Sequence, residues 1–394
     1  MAATHRSCDP RDRGCKPLPA VRSRGCRPLP QTGVALAVLS LLADPQSYAA
    51  CTWDLLADDG HRAYWLNLFR AHIHTIADLI RSELGPAAAG RVDAFLAEYF
   101  DGLHILDVRP DAWGSLNVLK LCLYQQGLLK RHGFPDPFAQ IKAKETHKAI
   151  ELYPQVVREL DALRRPERME ALARAIFAGN EFDLGCEATT ARYHNDGHDF
   201  HEAMERIPPR PWPEDDFDAW LTMATGRQPA YRQVFFFVDN AGADAVLGCI
   251  PLARDLLAAG ASVTLAANSE PSLNDITIGE LNEALGDLRQ LDPPLERALA
   301  GGRLQTVASG CGAPLIDLSQ VSEACHQAAR GADLLILEGM GRSVETNRTA
   351  RFTCDALRVA LIKDPFVASQ LGVALFSPVW RFDKPSGHAL ERDS

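Results

Sequence analysis

The sequence predicts an α/β protein, in which a three-layer α/β/α domain with a mostly parallel sheet follows an all-helical N-terminal half. Two patterns predict it. After about Gln233, short apolar runs alternate with amphipathic stretches, and strands separated by helices imply parallel strands joined by right-handed crossovers. From Trp53 to about Phe177, apolar residues recur instead at helical spacing. At 394 residues the chain is long enough for both parts. With 46 % hydrophobic and 23 % charged residues, it has the ordinary composition of a chain that buries a core.

Residues 1–30 hold seven Lys/Arg and two Asp, with RGCKPLP repeated as RGCRPLP eleven residues on. Proline and charge at that density predict a disordered basic tail over 1–33. The apolar run Val34–Ala43 and the later Ala49-Ala50-Cys51 have the order of a lipoprotein signal, but Asp44-Pro45-Gln46 interrupts it. A cytoplasmic protein is the expectation. Ten scattered cysteines without a CxxC pair agree with reduced, mostly buried thiols. No apolar run reaches the roughly 18 residues of a membrane span. The formal net charge of -10 argues against nucleic acid as a partner.

The helical part is expected over 34–180. Ala63–Leu84 places Trp65, Leu68, Ile73, Ile76, Leu79 and Ile80 on one face, and Ala94–Phe100, Ser115–Arg131, Ala149–Leu163 and Glu167–Phe177 read similarly. A connecting segment, 181–232, contains Tyr193–His201, with three histidines and two aspartates among Gly and Pro. Its surroundings predict a solvated loop rather than a metal site. In the α/β domain, 233–394, strands are expected at Gln233–Val238, Ser262–Ala267, Leu304–Ala308 and Asp333–Leu337, with a fifth at Val373–Phe376. Ala245–Ala258 reads as a helix, as does the apolar stretch before Lys363.

Ligands of open parallel sheets gather beyond the C-terminal ends of the strands. The first four predicted strands end in Asp239-Asn240, Asn268-Ser269 (followed by Asn274-Asp275), Ser309-Gly310-Cys311-Gly312 and Glu338-Gly339-Met340-Gly341-Arg342. All four exits are polar or glycine-rich, which marks this edge as the candidate active site. Asp239, Asn240 and Asp275 are oxygen donors suited to Mg²⁺ or Mn²⁺. The same residue types also form turns and helix N-caps after strands, so both readings stand on the residues alone. Gly339-Met340-Gly341 and Arg342 read either as backbone N–H groups and a guanidinium for phosphate oxygens or as a tight turn. No GxGxxG, GxxxxGK[ST] or GxSxG motif is present.

Together, FFFVDNAGAD, LAANSEPSLNDIT and LEGMGRSVETN resemble the metabolite damage-control phosphatases, in the branch that forms the C-terminal domain of some eukaryotic pantothenate kinases. The signature Glu338–Arg342 is that of the branch, and Ala178–Asp183 and Gly133–Pro137 resemble two more of its segments. The resemblance covers roughly Leu42 to Phe382. It implies a helical domain joined to a Rossmann-like α/β/α domain, with a divalent ion (Mn²⁺, Co²⁺, Ni²⁺ or Mg²⁺) on Asp239, Asn240 and Asp275. It further implies a phosphate pocket of Asn268, Ser269, Glu338, Gly339, Met340, Gly341, Arg342 and Lys363, with Asn180 and Asp183 nearby. The implied substrate is a small phosphorylated metabolite, 4′-phosphopantetheine or its oxidised forms. Asp239 is expected either to position the attacking water as a ligand or to be the nucleophile. Two other classes stay open: an S-adenosylmethionine-dependent methyltransferase, against which the missing glycine-rich loop counts, and a non-catalytic regulatory protein.

Overall fold

A computed structural model describes residues 35–181, 199–226 and 230–385. The basic tail, Asp183 and Tyr193–His198 lie outside them. β1 (Leu36–Ala37) opens the described chain, and Leu39, Leu41 and Leu42 after it are buried. The second half of the apolar run near the N-terminus thus lies in the core, while Leu36 and Val38 are exposed. The long helices α1 (Asp59–Leu84), α2 (Ala89–Val108), α3 (Val118–Arg131), α4 (Ala139–Ala162) and α5 (Arg165–Glu181) follow. Asp58 and Asn117 cap α1 and α3 with side-chain oxygens, satisfying backbone donors the helix leaves open. Of the histidine-rich segment, Asp199 caps the short α6 (Phe200–Arg206) and His201 contacts Glu159 at 2.9 Å.

Next come β2 (Glu214–Asp215), α7 (Phe217–Gly226) and β3 (Gln233–Phe237). A π-helical turn, Asp244–Cys249, leads into α8 (Ile250–Ala258), then β4 (Ser262–Ala267), α9 (Ile278–Leu291), α10 (Pro293–Ala300) and β5 (Leu304–Ala308). The rest is β6 (Val321–Ser322), α11 (Glu323–Ala329), β7 (Leu334–Glu338), a second π-helical turn over Gly341–Thr346, β8 (Asp355–Leu361), α12 (Pro365–Leu371) and β9 (Pro378–Asp383). Seven strands form one sheet in the order β2-β9-β8-β7-β3-β4-β5, parallel except where β9 meets β8; β1 and β6 pair separately.

Alternation along β3 sets the layers. Phe235 and Phe237 face one side with residues of α1–α3, β6 and α11, whereas Val234 and Phe236 face the other with residues of α4, α5 and α8–α10. The sheet is therefore covered on both faces, as parallel strands with continuous apolar sequence require. This is the α/β architecture with a helical part expected above. No helix among the described residues is long and apolar enough to cross a membrane.

Two readings of the sequence are corrected. Val373–Phe376 is a turn; the strand lies just after it, at β9. The stretch before Lys363 is not a helix but the buried strand β8. Short apolar runs suit either period, and β8 is fully buried on both faces, so no alternation betrays it.

α9 has a capping box: Thr277 Oγ1 accepts from Glu280 N (3.3 Å) and Glu280 Oε2 from Thr277 N (2.8 Å). Thr277, not Asp275, is therefore the cap of this helix, which leaves the Asp275 carboxylate to other partners. Thr277→Ala is expected to cost about 1 kcal/mol, seen as a lower urea midpoint with an unchanged slope.

Candidate active site

β7, β3 and β4 lie side by side at the centre of the sheet, and the chain leaves β3 for β4 on one side but returns to β3's other flank as β7. Such a switch point opens a crevice at the strand ends. Glu338 ends β7, Asp239 lies two residues beyond β3, and Asn268 follows β4. The loop before α9 doubles back over them: Ile276 N donates to Asp239 O (2.9 Å), and Asn240 and Asp275 pair as an antiparallel bridge. Asp275 is thereby fixed beside Asp239 although 36 residues separate them in the chain.

Arg342, on the second π-helical turn, joins the pieces. Its Nη1 donates to Asp239 Oδ1, and its Nη2 to Asp275 Oδ2 (2.6 Å) and Asn268 Oδ1 (3.0 Å). Asn268 Nδ2 donates in turn to Asp275 Oδ2 (2.9 Å) and Ala313 O (3.1 Å). Behind this group lies a second one. Asn180, at the end of α5, donates to Asp244 Oδ2 and Glu338 Oε1, both at 2.9 Å, and Asn240 Nδ2 donates to Asp244 Oδ2 (2.7 Å) and Asp239 Oδ2 (3.1 Å). Glu338 Oε2 accepts from Asp239 N (2.9 Å), and the Cys249 thiol donates to it at 3.5 Å. Lys363, just beyond β8, donates through Nζ to Asn180 O (3.1 Å).

The other expected residues sit at the margin. Ser269 Oγ accepts from Gly310 N (2.7 Å), Gly339 N donates to Val359 O (3.0 Å), and Met340 Sδ accepts from Lys363 N (3.4 Å). Gly341 is pressed against the Pro314 carbonyl. Met340 holds the Lys363 backbone and Ser269 ties the β4 exit to Gly310, while the side chains of Glu338 and Arg342 enter the cluster. Asp183 lies outside the described residues.

Comparison with known proteins gives this geometry a context. The profile described as the damage-control phosphatase ARMT1-like domain matches residues 70–379. The chain belongs to that family. It is 38 % identical to Damage-control phosphatase At2g17340 of Arabidopsis thaliana, over 86 % of this chain and 94 % of that one. It is 36 % identical to Pantothenate kinase 2 of Arabidopsis thaliana and 32 % identical to the 4′-phosphopantetheine phosphatase of Mus musculus. These two matches each cover 89 % of this chain but only 42 % and 49 % of the relatives; the chain spans less than half of either. In fold it is similar to a DUF89-family protein (ph1575) from Pyrococcus horikoshii, at a TM-score of 0.59 and 17 % identity, over 82 % of this chain and 98 % of that one.

For an ARMT1-like damage-control phosphatase the charge balance of the cluster is informative. Asp239, Asp244, Asp275 and Glu338 face Arg342 and Lys363, all at most 5 % exposed. Four carboxyl groups against two cations leave an excess of negative charge equal to that of one divalent ion. Burial, opposed by Lys363, pushes Asp244 up to about 6, and burial, with Asp244 beside it, holds Glu338 well above the carboxylate range. Asn180 Oδ1 and Asp244 Oδ1 are buried with no hydrogen-bond partner among the described residues, a costly arrangement for oxygens out of water. The residues therefore fit a hard divalent cation. Asp244, Cys249 and Glu338 also bring one possible ligand atom each within 4.8 Å of one another. Burial pushes the Cys249 thiol far up, with Glu338 adding to it, so this set suits a hard ion less well than the carboxylate and amide oxygens beside it.

Asp244 and Cys249 were missed in the sequence reading. The signal for Asp244 was there: an acid four residues after Asn240, at the head of a run otherwise apolar through Ile250.

Proposed function

We propose that this protein is a divalent-metal-dependent phosphatase of small phosphorylated metabolites, with 4′-phosphopantetheine or its oxidised forms as the substrate class. The observation that carries this reading is the buried carboxylate and amide cluster around Arg342, in a chain of a phosphatase family. Asp239, Asn240 and Asp275 would hold the ion, which when bound supplies Lewis-acid charge for the phosphoryl oxygens. Arg342 and Lys363 bring positive charge to the same crevice, where low dielectric makes each contact with a phosphoryl oxygen stronger than in water. Asn268 fixes the Asp275 carboxylate, and Asn180 fixes those of Asp244 and Glu338. The 4′-phosphopantetheine reading draws on the family resemblance of the sequence and on the mouse relative's name, and reaches this chain only as a proposal. A cytoplasmic location is part of the same proposal.

The test is phosphate release from 4-nitrophenyl phosphate and 4′-phosphopantetheine by chelator-stripped protein, with Mn²⁺, Co²⁺, Ni²⁺ or Mg²⁺ restored singly. Activity returning with metal in the wild type and lost with bound metal in Asp275→Ala is the expected result. Folded protein that releases no phosphate with any of these ions would overturn the reading. Phosphate release that survives Asp275→Ala would overturn the ligand set.

A further inference from the structure

One face of α4 touches both loops of the proposed metal site. Lys142, Thr146 and Tyr153 follow one another at i, i+4 and i+11, a single stripe on a helix of 3.6 residues per turn. Thr146 Oγ1 accepts from Gly242 N (3.1 Å), two residues after Asn240. Gly242 comes so close to α4 that a Cβ on it would meet Glu145 Cβ at 3.1 Å. Tyr153 Oη donates to Asp292 Oδ2 (2.9 Å), just past the far end of α9. Lys142 reaches the near end of α9. Its Nζ lies 2.8 Å from Glu280 Oε1 and 2.9 Å from Asp136 Oδ2.

Lys142 is 2 % exposed and, with Lys363, one of two buried lysines among the described residues. A buried ion pair adds little net stability once its desolvation is counted, but it is exacting in position. An ammonium group cut off from water has to keep its carboxylates in contact.

From Glu280 the contact runs on, bond by bond, to the proposed ligands. While its Oε1 meets Lys142, its Oε2 accepts from Thr277 N and Thr277 Oγ1, both at 2.8 Å. Thr277 pairs with Asn268 as a parallel bridge, in which Asn268 N donates to Ile276 O (3.1 Å) and Ile278 N to Asn268 O (2.8 Å). Ile276 N donates to Asp239 O (2.9 Å). Asp275 is therefore followed at once by a stretch tied to the exits of both β3 and β4. The loop that leads into it is not relaxed. Leu273 has a φ of 50°, a conformation a non-glycine residue keeps only where its surroundings enforce it. Such a loop shifts when its anchor at Thr277 loosens.

We infer that Lys142 is a positioning residue for the proposed metal site: through Glu280 it holds the loop carrying Asp275 in register with Asp239 and Asn240. The inference rests on the ligand set proposed above. Thr146 holds the other loop from the same helix, so α4 sets the spacing between the two parts of that set. Lys142 acts through Glu280 alone.

The test measures Mn²⁺ binding by titration calorimetry in wild type, Lys142→Met, Glu280→Gln and the double variant. Amide hydrogen exchange over residues 268–278 is followed in the same proteins free of metal. Glutamine keeps an oxygen for the Thr277 cap but offers Lys142 no charge. Each single variant should bind Mn²⁺ at least about 10-fold more weakly, and exchange at Ile276, Thr277 and Ile278 should quicken before any metal is added. Both substitutions break one pair, so the double variant should lose no more than the worse single. Phosphate release should need correspondingly more Mn²⁺ for half-saturation. Tyr153→Phe is the control, because it removes a contact of the same helix face at the far end of α9. It should lower the melting temperature and leave Mn²⁺ affinity and loop exchange unchanged. Wild-type affinity in a folded Lys142→Met or Glu280→Gln would overturn the inference, as would additive losses in the double variant or an equal loss in Tyr153→Phe. Should Lys142→Met not fold, the affinity of Glu280→Gln decides alone. A wild type that binds Mn²⁺ yet releases no phosphate would sink the phosphatase reading, while the binding comparisons would still decide the role of Lys142. Mn²⁺ binding that survives Asp275→Ala would overturn the ligand set and this inference with it.

Discussion

Gly339→Ala should abolish phosphate release while leaving a folded, destabilised protein. Two independent costs meet at this residue. Its φ is 95°, a conformation that costs an L-residue about 1–3 kcal/mol when the surroundings enforce it. They do enforce it, because Gly339 N is held by Val359 O and Ser343 Oγ donates to Gly339 O at 2.6 Å. The second cost is steric. A Cβ here would fall inside the van der Waals envelope of the Asp239 carboxylate, with Oδ1 at 2.7 Å and Cγ and Oδ2 nearer still. The carboxylate would have to turn away from Arg342 and from the place where it is proposed to hold the ion. A displacement of about 1 Å costs some 10²-fold in rate, and loss of the ligand would cost more. The expected result is therefore at least about a 10²-fold fall in kcat, weaker Mn²⁺ binding by titration calorimetry, and an unfolding free energy lower by about 2–4 kcal/mol. Normal Mn²⁺ affinity in a folded Gly339→Ala variant would mean that Asp239 is not a ligand.

The glycine illustrates what the sequence does and does not disclose. Gly339 stands out in a strand exit, but nothing in the sequence says which side chain its missing Cβ makes room for. Gly179 is similar. It reads as the end of a helix, yet α5 continues through it to Glu181, and glycine is needed there because a Cβ would meet Asp244 Cα at 2.7 Å. The residue serves the close crossing of α5 over the first π-helical turn, and that crossing delivers Asn180 to the cluster.

The strand β3 was legible as a continuous apolar run, and β4 and β5 as short, partly apolar stretches between turn residues; their polar exits lie at one edge of the sheet. Strand order was not legible. That β7 flanks β3, and so brings Glu338 to within a hydrogen bond of the Asp239 backbone, follows from how the helices divide between the two faces. β8 was hidden because burial on both faces removes alternation, and Arg358 within it is neutralised by Asp383 and by the carbonyls of Asn347 and Ala350. The candidate residues came from strand exits and the family resemblance together. Exits alone left Asp275 open as a cap, and the capping box on Thr277 answers that from structure.

Arg342→Leu, in protein stripped of metal, should lower the unfolding free energy by about 3–5 kcal/mol, the usual cost of leaving buried partners uncompensated. Asp239 and Asp275 would face each other without a cation, and Asn268 Oδ1 would lose its donor. Arg342→Lys should recover part of this, since it restores a charge but cannot donate to both carboxylates and the amide at once. The informative measurement is the response to Mn²⁺. Ligand at about 100 times its dissociation constant stabilises a protein by about 2.7 kcal/mol. If the ion and the guanidinium neutralise the same two carboxylates, that gain should be larger in Arg342→Leu than in the wild type, where the ion must share them with Arg342. Turnover should stay lost even so, because the charge proposed to meet the phosphoryl oxygens is gone. An equal melting shift with Mn²⁺ in both proteins would place the ion elsewhere, with the set around Asp244, Cys249 and Glu338 next in line.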